Sequence, residues 1–439
     1  MSKKRIFRST KIKESELLRL SCFGIIVGTV SGFVIVLFRF LIEYIQASML
    51  AGGDPENYES LSPLEIFLFP LAGGILIGAI FHFIPANKRQ VGIGHTLDYL
   101  KNHNARLPFS NAAAQFIGGI VTIVAGHSVG REGPSVHLGA ASGSLIGQYF
   151  KLDNTHIQIL LGCGVSAAIA ASFNTPIAGV IFALEVILLE YAVLSIMPII
   201  ISALAATLIS HAVFGDAHTF ITSSFAISSK TELISITTTG IIIGLAAAIF
   251  IRSISGVTKR TKHYSIFWRL TLAGAITGIL AQAAPEIMSL GYDTIEKTLN
   301  TEILLSSLLL IIILKIAATS IGLGLGLPGG LIGPTLVIGA LIGSAVGIIA
   351  QNLFPESAAD PGLYAMIGMG AMMAATLQAP LAALMAIFEL TLNANIVLPG
   401  LIAIVAASLT CSELFGQPSI FTAIKSANTT KPSAKDPGN

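Results

Sequence analysis

Long apolar runs, broken by glycine, proline and short charged clusters, set the pattern of this chain from about residue 20 to residue 425. Roughly ten to twelve such stretches can be separated by their flanking turn and charge signals. Runs near 20 residues predict helices that cross a bilayer. Lipid leaves no partner for an open sheet edge, so the expected fold is an all-α polytopic membrane protein. The segments 134–150, 157–171 and 334–350 look too short or too glycine-rich to span alone. Tilted, broken and re-entrant helices are therefore expected among the spanning ones.

The apolar pattern is written twice. At an offset of 200, GREGPSVHLGAASGSLIG (130–147) matches GLIGPTLVIGALIGSAVG (330–347). Gly130, Gly133, Pro134, Gly139, Ala140, Gly143, Ser144 and Gly147 are identical to Gly330, Gly333, Pro334, Gly339, Ala340, Gly343, Ser344 and Gly347. Gly24 and Gly28 are echoed by Gly240 and Gly244, and Gly74, Gly78 and Pro85 by Gly274, Gly278 and Pro285. The segments 173–185 and 377–389 also correspond, and Glu185 and Glu389 follow Pro176 and Pro380 at equal spacing.

Loop charges orient the halves. The first helix of the first half leaves a basic segment and exits into Asp54, Glu56 and Glu59; its counterpart exits into Arg252, Lys259, Arg260, Lys262 and Arg269. The next helix exits into Lys88 and Arg89 in one half and into Glu286, Asp293 and Glu296 in the other. Basic loops favour the cytoplasm, so equivalent ends face opposite sides and the repeat is inverted. The expected organisation is a cytoplasmic basic head (1–19), inverted halves (about 20–215 and 235–425) within one transmembrane domain, and a polar cytoplasmic tail (426–439).

Composition narrows the class. Of 439 residues, 53% are hydrophobic and 11% charged, against about 25% charged in soluble domains. A net charge of +2 gives no field for nucleic acid. Cys22, Cys163 and Cys411 lie far apart in apolar stretches and read as buried thiols, not metal ligands or disulfides. The first apolar run is too long for a signal peptide, so both termini are expected in the cytoplasm.

The duplicated Gly-Pro breaks carry the chemistry. Pro134 and Pro334 suit a first helical position, where no N–H is needed. The amides of Arg131, Glu132 and Gly133, and of Leu331, Ile332 and Gly333, are then free at two helix N-termini. Such ends carry roughly half a positive charge and bind anions. Inversion would bring both ends toward the midplane. Glu132 sits in one nest where Ile332 sits in the other. A carboxylate there costs roughly 2.5–3.5 kcal/mol in lipid. It recovers part of that by accepting the amides an anion would use, which makes it a tethered competitor released by protonation. A plain ion pair with Arg131 is the alternative.

Lesser signals are weighed beside these. Gly126-His127-Ser128-Val129-Gly130 matches the G-x-S-x-G elbow of serine hydrolases, a different-class alternative that needs a strand–turn–helix context. His137 offers either proton relay or a hydrogen-bonded core histidine, and His95 belongs to loop chemistry. Glu185 and Glu389 are expected to cap or pair helices. An inverted-repeat carrier of organic anions would use the same helix-end logic.

GREGP, its partner Gly-Leu-Ile-Gly-Pro, and the segments ending in Glu185 and Glu389 resemble the CLC family of chloride channels and chloride/proton exchangers, over about residues 20–425. The resemblance implies a prokaryotic-type member without CBS domains, in the inner (plasma) membrane. It implies a homodimer with one pore per subunit, Glu132 as gate, chloride as bound ligand and no cofactor or enzymatic activity. Three positions depart from the family. Its GSGIP element aligns with Gly92-Ile93-Gly94-His95-Thr96, so the anion-holding serine is Ile93. Its late tyrosine aligns with Phe421, beside which Thr422 or water could stand in. The inner proton-delivering glutamate aligns with Val186. Losing a hydrogen bond to a charged group costs roughly 1.5–3 kcal/mol, which predicts weaker central binding. These departures tip the expectation toward passive, channel-like conduction of chloride or similar anions. Proton-coupled antiport is the alternative.

Overall fold

The computed structural model describes residues 14–189, 193–216, 220, 232–355 and 359–428. The basic head before residue 14, Lys230 with most of the stretch between the halves, and the tail after residue 428 lie outside the described residues.

The first half contains α1 (Glu14–Met49), α2 (Pro63–Phe83), α3 (Gly92–Asn102), α4 (Phe109–Val124), α5 (Glu132–Tyr149), α6 (Asn154–Phe173), α7 (Pro176–Phe182) and α8 (Val193–Phe214). The second repeats them as α9 (Glu232–Thr261), α10 (Ile266–Ala281), α11 (Tyr292–Leu299), α12 (Leu305–Leu325), α13 (Ile332–Leu353), α14 (Pro361–Leu377), α15 (Pro380–Thr391) and α16 (Val397–Leu409). A last helix, α17 (Ile420–Asn428), packs on α3 and α9. The fold is an all-α inverted-repeat bundle.

Among the described residues, eight helices are long and apolar enough to cross a membrane. Two segments expected to be too short are among them: 157–171 extends to Asn154–Phe173 and 334–350 to Ile332–Leu353. Their glycines do not shorten the helices; they set how closely the helices pack. Five further apolar helices are shorter.

The repeated glycines are helix seams. A Cβ on Gly139 would lie 2.1 Å from the Gly164 carbonyl oxygen, joining α5 to α6. The same approach recurs between α13 and α14, where a Cβ on Gly339 would lie 2.2 Å from the Gly368 oxygen. Gly74 and Gly274 bring α2 and α10 together, with a Gly74 Cβ only 3.1 Å from the Gly274 Cα. Apolar attraction between helices is weak in lipid, so such close backbone approach supplies the packing.

The two faces differ in charge. Lys297 binds Glu59 at 2.9 Å and Asp293 at 3.3 Å on the acidic face. On the basic face Lys425 binds Asp98 at 2.7 Å and Lys262 donates to the Ala427 carbonyl at 3.1 Å. A reciprocal clasp joins the halves: Glu185 accepts from Leu381 and Ala382 at the start of α15, and Glu389 from Ile177 and Ala178 at the start of α7. The expected capping role of both glutamates is what the structure shows. Cys163 and Cys411 are buried and Cys22 is exposed; all three are free thiols.

The seams are testable in detergent. A Cβ on Gly143 would meet the Leu160 carbonyl oxygen at 1.9 Å, whereas one on Gly256 meets nothing within 4 Å. Gly143→Ala should lower the unfolding free energy by at least the ~1–3 kcal/mol of an overpacked core. Gly256→Ala should be neutral or gain up to ~1 kcal/mol of helix propensity. Equal thermal midpoints for the two variants would contradict this packing.

Candidate functional site

The two Gly-Pro breaks meet. Gly130 and Gly330 form an antiparallel bridge, each amide donating to the other's carbonyl at 2.7 Å. This exchange of equivalent bonds is what a local two-fold axis between the halves requires. Neither position tolerates a side chain: a Cβ on Gly330 would lie 2.5 Å from the Gly133 nitrogen. The bridge therefore butts the N-terminal ends of α5 and α13 against each other.

Both helices begin earlier than their prolines predict. Glu132 and Ile332 are the first helical residues, with Arg131 and Leu331 as their caps. Pro134 and Pro334 thus stand third, still inside the first turn where their missing N–H is harmless. The intrahelical ladders begin only at Ser135 and Thr335, which donate to Arg131 and Leu331 at 3.0 Å. The backbone amides of Arg131, Glu132, Gly133, Leu331, Ile332 and Gly333 precede those bonds, at the positive ends of two helices.

Glu132 is fully buried, and its carboxylate crosses the axis. One oxygen accepts the Gly333 amide at 3.0 Å. The other accepts the hydroxyl of Tyr292. The carboxylate of one copy thus occupies the nest of the other. The Arg131 pairing considered from sequence is not made. Arg131 reaches Glu43 at 3.1 Å and the Ser172 carbonyl at 3.2 Å, and its guanidinium lies 5.2 Å from the Tyr292 ring centre. Glu43 also binds Arg39 at 2.6 Å.

Tyr292 and Lys315 escaped the sequence reading. Tyr292 opens α11, the inverted equivalent of α3, and no short motif marks it. Lys315 did leave a signal as the lone cation in an apolar 21-residue helix. It is fully buried and donates to the carbonyls of Ile287 (2.9 Å) and Ser289 (3.2 Å), fastening the loop that leads to Tyr292. Glu56 fastens the other side, accepting the amides of Tyr292 (2.8 Å) and Asp293 (3.3 Å). Burial first, and the nearby Asp293 second, push the Glu56 carboxyl up to about 7.

The remaining sequence candidates are more scattered. Ile93 and Phe421 are buried on the first turns of α3 and α17, two helices that touch, and both present apolar side chains. Thr422, the candidate stand-in for the family hydroxyl, is exposed and shares a 3.1 Å bond with Ser419. Val186 is buried in the π-helical turn Ala183–Leu188 that continues α7. A small cavity between α7 and α13 is lined by Phe173, Phe182, Ile332 and Leu336, with Thr175 as its polar member. The serine-hydrolase elbow is not built. Ser128 shares a 2.8 Å bond with Thr319, and residues 126–131 link two helices rather than a strand to a helix. His95 and His137 are bonded to each other at 2.9 Å, so His95 is no loop residue but sits within α3.

The chain is similar in sequence and fold to known proteins. A family model described as voltage gated chloride channel matches residues 73–412. A ClcB-like chloride channel protein of Ralstonia nicotianae is 29% identical over 90% of this chain and 94% of its own. An H(+)/Cl(-) exchange transporter ClcA of Vibrio cholerae serotype O1 is 31% identical over 69% of this chain and 67% of its own. The solved structure of a slow cyanobacterial Cl−/H+ antiporter superposes with a TM-score of 0.82 at 25% identity, covering 93% of this chain and 98% of that one.

Folding raises the Glu56 pKa above its ordinary value of 4.5. The folded chain therefore holds this proton more tightly than the unfolded one. The associated stability is full below about pH 4.5 and is lost as pH rises through about 7. Glu56→Gln keeps an acceptor and removes the charge, so it should raise the thermal midpoint by more at pH 8 than at pH 5. An equal shift at both values would contradict the assignment.

Proposed function

The chain belongs to the voltage-gated chloride channel family, and on that premise we propose that it exchanges chloride for protons across the membrane, with Glu132 as gate. The observation that carries this reading is the Glu132 carboxylate on the Gly333 amide. A small anion recognised by backbone N–H groups and helix ends competes for the same donors. Ionised Glu132 closes the nest. Protonated Glu132 loses its charge and yields the nest to chloride. Each cycle then links one protonation to anion movement.

The lean toward passive conduction gives way here to its alternative. Val186, Ile93 and Phe421 remain departures, but a ClcA exchange transporter and a Cl−/H+ antiporter are among the relatives this chain resembles. Ile93 and Phe421 offer the anion no hydroxyl, which favours weak central binding and slow turnover. The amides at 131–133 and 331–333 are the anion ligands in this reading, and Tyr292 is a latch on the gate. The working unit is a homodimer with one pore per subunit, in the inner membrane of a prokaryote, with the basic face and both termini in the cytoplasm. The transmembrane domain spans 20–425 between the basic head (1–19) and polar tail (426–439).

Purified protein in liposomes under an outward chloride gradient should drive protons uphill at a fixed ratio. Dissipation of chloride without proton movement would contradict exchange. Glu132→Gln should abolish the pH dependence of chloride flux, and unchanged pH dependence would contradict the gate. Tyr292→Phe removes one hydrogen bond to a carboxylate, worth roughly 1.5–3 kcal/mol. Chloride flux at neutral pH should therefore rise several-fold in that variant. A flux equal to wild type would remove Tyr292 from the latch.

A further inference from the structure

The position aligned with the family's inner proton-delivering glutamate is Val186, and the small cavity between α7 and α13 has Thr175 as its polar member in an otherwise apolar lining. An exchanger built on this chain needs another inner route. A buried polar pair lies on a different path. His95 Nδ1 and His137 Nε2 are 2.9 Å apart, with His95 6% and His137 0% exposed.

Asn111 on α4 is the polar neighbour on the far side of His95. The Asn111 side-chain amide donates to the Asn87 and Gln90 carbonyls, both at 2.9 Å, so its nitrogen faces His95 Nε2 at 3.4 Å. Both hydrogens of that amide are taken by the two carbonyls, so none is left for His95 and the bond between the histidines can run either way. In the tautomer with the His95 proton on Nδ1, that proton is donated to His137 Nε2. The His137 proton then sits on Nδ1, which has no partner among the described residues although fully buried. In that tautomer the pair is a wire with a free donor at its His137 end.

The fold does not require histidines here. At the same offset of 200, the inverted copy places Ile295 and Val337 at these positions, both fully buried. Packing of α11 on α13 is thus satisfied by aliphatic side chains. Two imidazoles at the equivalent place in the first half carry a desolvation cost that packing does not explain.

We propose that His95 and His137 carry protons from the basic face toward Glu132, an inference that rests on the exchange reading above. The mouth of the route is polar. His103 and Asp98, 3.8 Å apart, stand on the exposed end of α3, and Tyr99 stacks between His103 (4.4 Å) and His95 (4.5 Å). The charged and titratable groups facing His95 are Asp98, Tyr99 and His103 on α3 and, from α17, Lys425 paired to Asp98 at 2.7 Å; α4 contributes neutral Asn111. His95 is the titratable group that bears on His137. A proton arriving at His95 Nε2 displaces the Nδ1 proton onto His137 Nε2, and the His137 Nδ1 proton leaves. One proton enters and one departs, with no redox change. His137 lies five residues after Glu132 on α5, about 7.5 Å along the helix axis. The route requires water to bridge that remainder.

The test is dual flux in liposomes, with chloride and protons followed separately for wild type, His137→Gln and His95→Gln. Proton flux should fall at least tenfold in each variant while chloride flux stays within twofold. A variant that keeps the wild-type ratio of proton to chloride flux would overturn the route and leave exchange intact. A wild-type protein that moves no protons uphill would overturn exchange itself. If one variant fails to fold, judged by loss of chloride flux, the other decides. His137→Leu, matched to the aliphatic position in the second half, is the third arm: it should fold, carry chloride and lose proton flux.

Discussion

The hydrogen bond from the Gly333 amide to Glu132 depends on one constraint, the meeting of two helix N-termini across a two-fold axis. Each end has amides that its own helix cannot satisfy. The Gly130–Gly330 bridge presses the two ends together, where positive dipole ends would repel without an anion between them. The Glu132 carboxylate is the acceptor that lies between them. Much of the molecule serves to hold this arrangement. The glycine seams of α5 on α6 and of α13 on α14 lock the two broken helices into the bundle, and the Glu185–Glu389 clasp ties the halves behind them.

The inverted repeat supplies a scaffold, and the exceptions to it supply function. Glu132 faces Ile332 across the axis. Tyr292 on α11 answers Gly92 on α3, and the His95–His137 pair answers Ile295 and Val337. In each case one copy has a polar group where its twin shows that the backbone needs none. Tyr292 bonds Glu132 and is held in place by Glu56 and by the loop that buried Lys315 fastens. On the other side of the molecule His95 and His137 form a buried imidazole pair. Tyr292 and His95 lie on helices that contact the broken ones, α11 on α13 and α3 on α5.

The sequence was legible where symmetry or composition left a mark. Apolar runs, paired glycines and loop charges revealed an inverted helical bundle, and the doubled Gly-Pro break located the nests. Length was misjudged for 157–171 and 334–350, because glycine was read as a breaker when lipid-packed helices use it for contact. Pro134 and Pro334 were placed two residues too early in their helices, since proline is tolerated anywhere in the first turn. Tyr292 was invisible because its role depends on a contact 160 residues away in the chain. His95, expected to belong to loop chemistry, lies instead within α3, which begins at Gly92 with the positive φ of +81° that glycine permits.

The central claim is that Glu132 and a transported anion share one set of amides. Anomalous diffraction from bromide-soaked crystals of the wild type and of Glu132→Gln tests it directly. The account predicts a bromide peak within hydrogen-bond distance of the Gly333 amide in the variant, and none there in the wild type at neutral pH. A variant whose nest stays empty at high bromide, while the anion sits elsewhere in the pore, would contradict it.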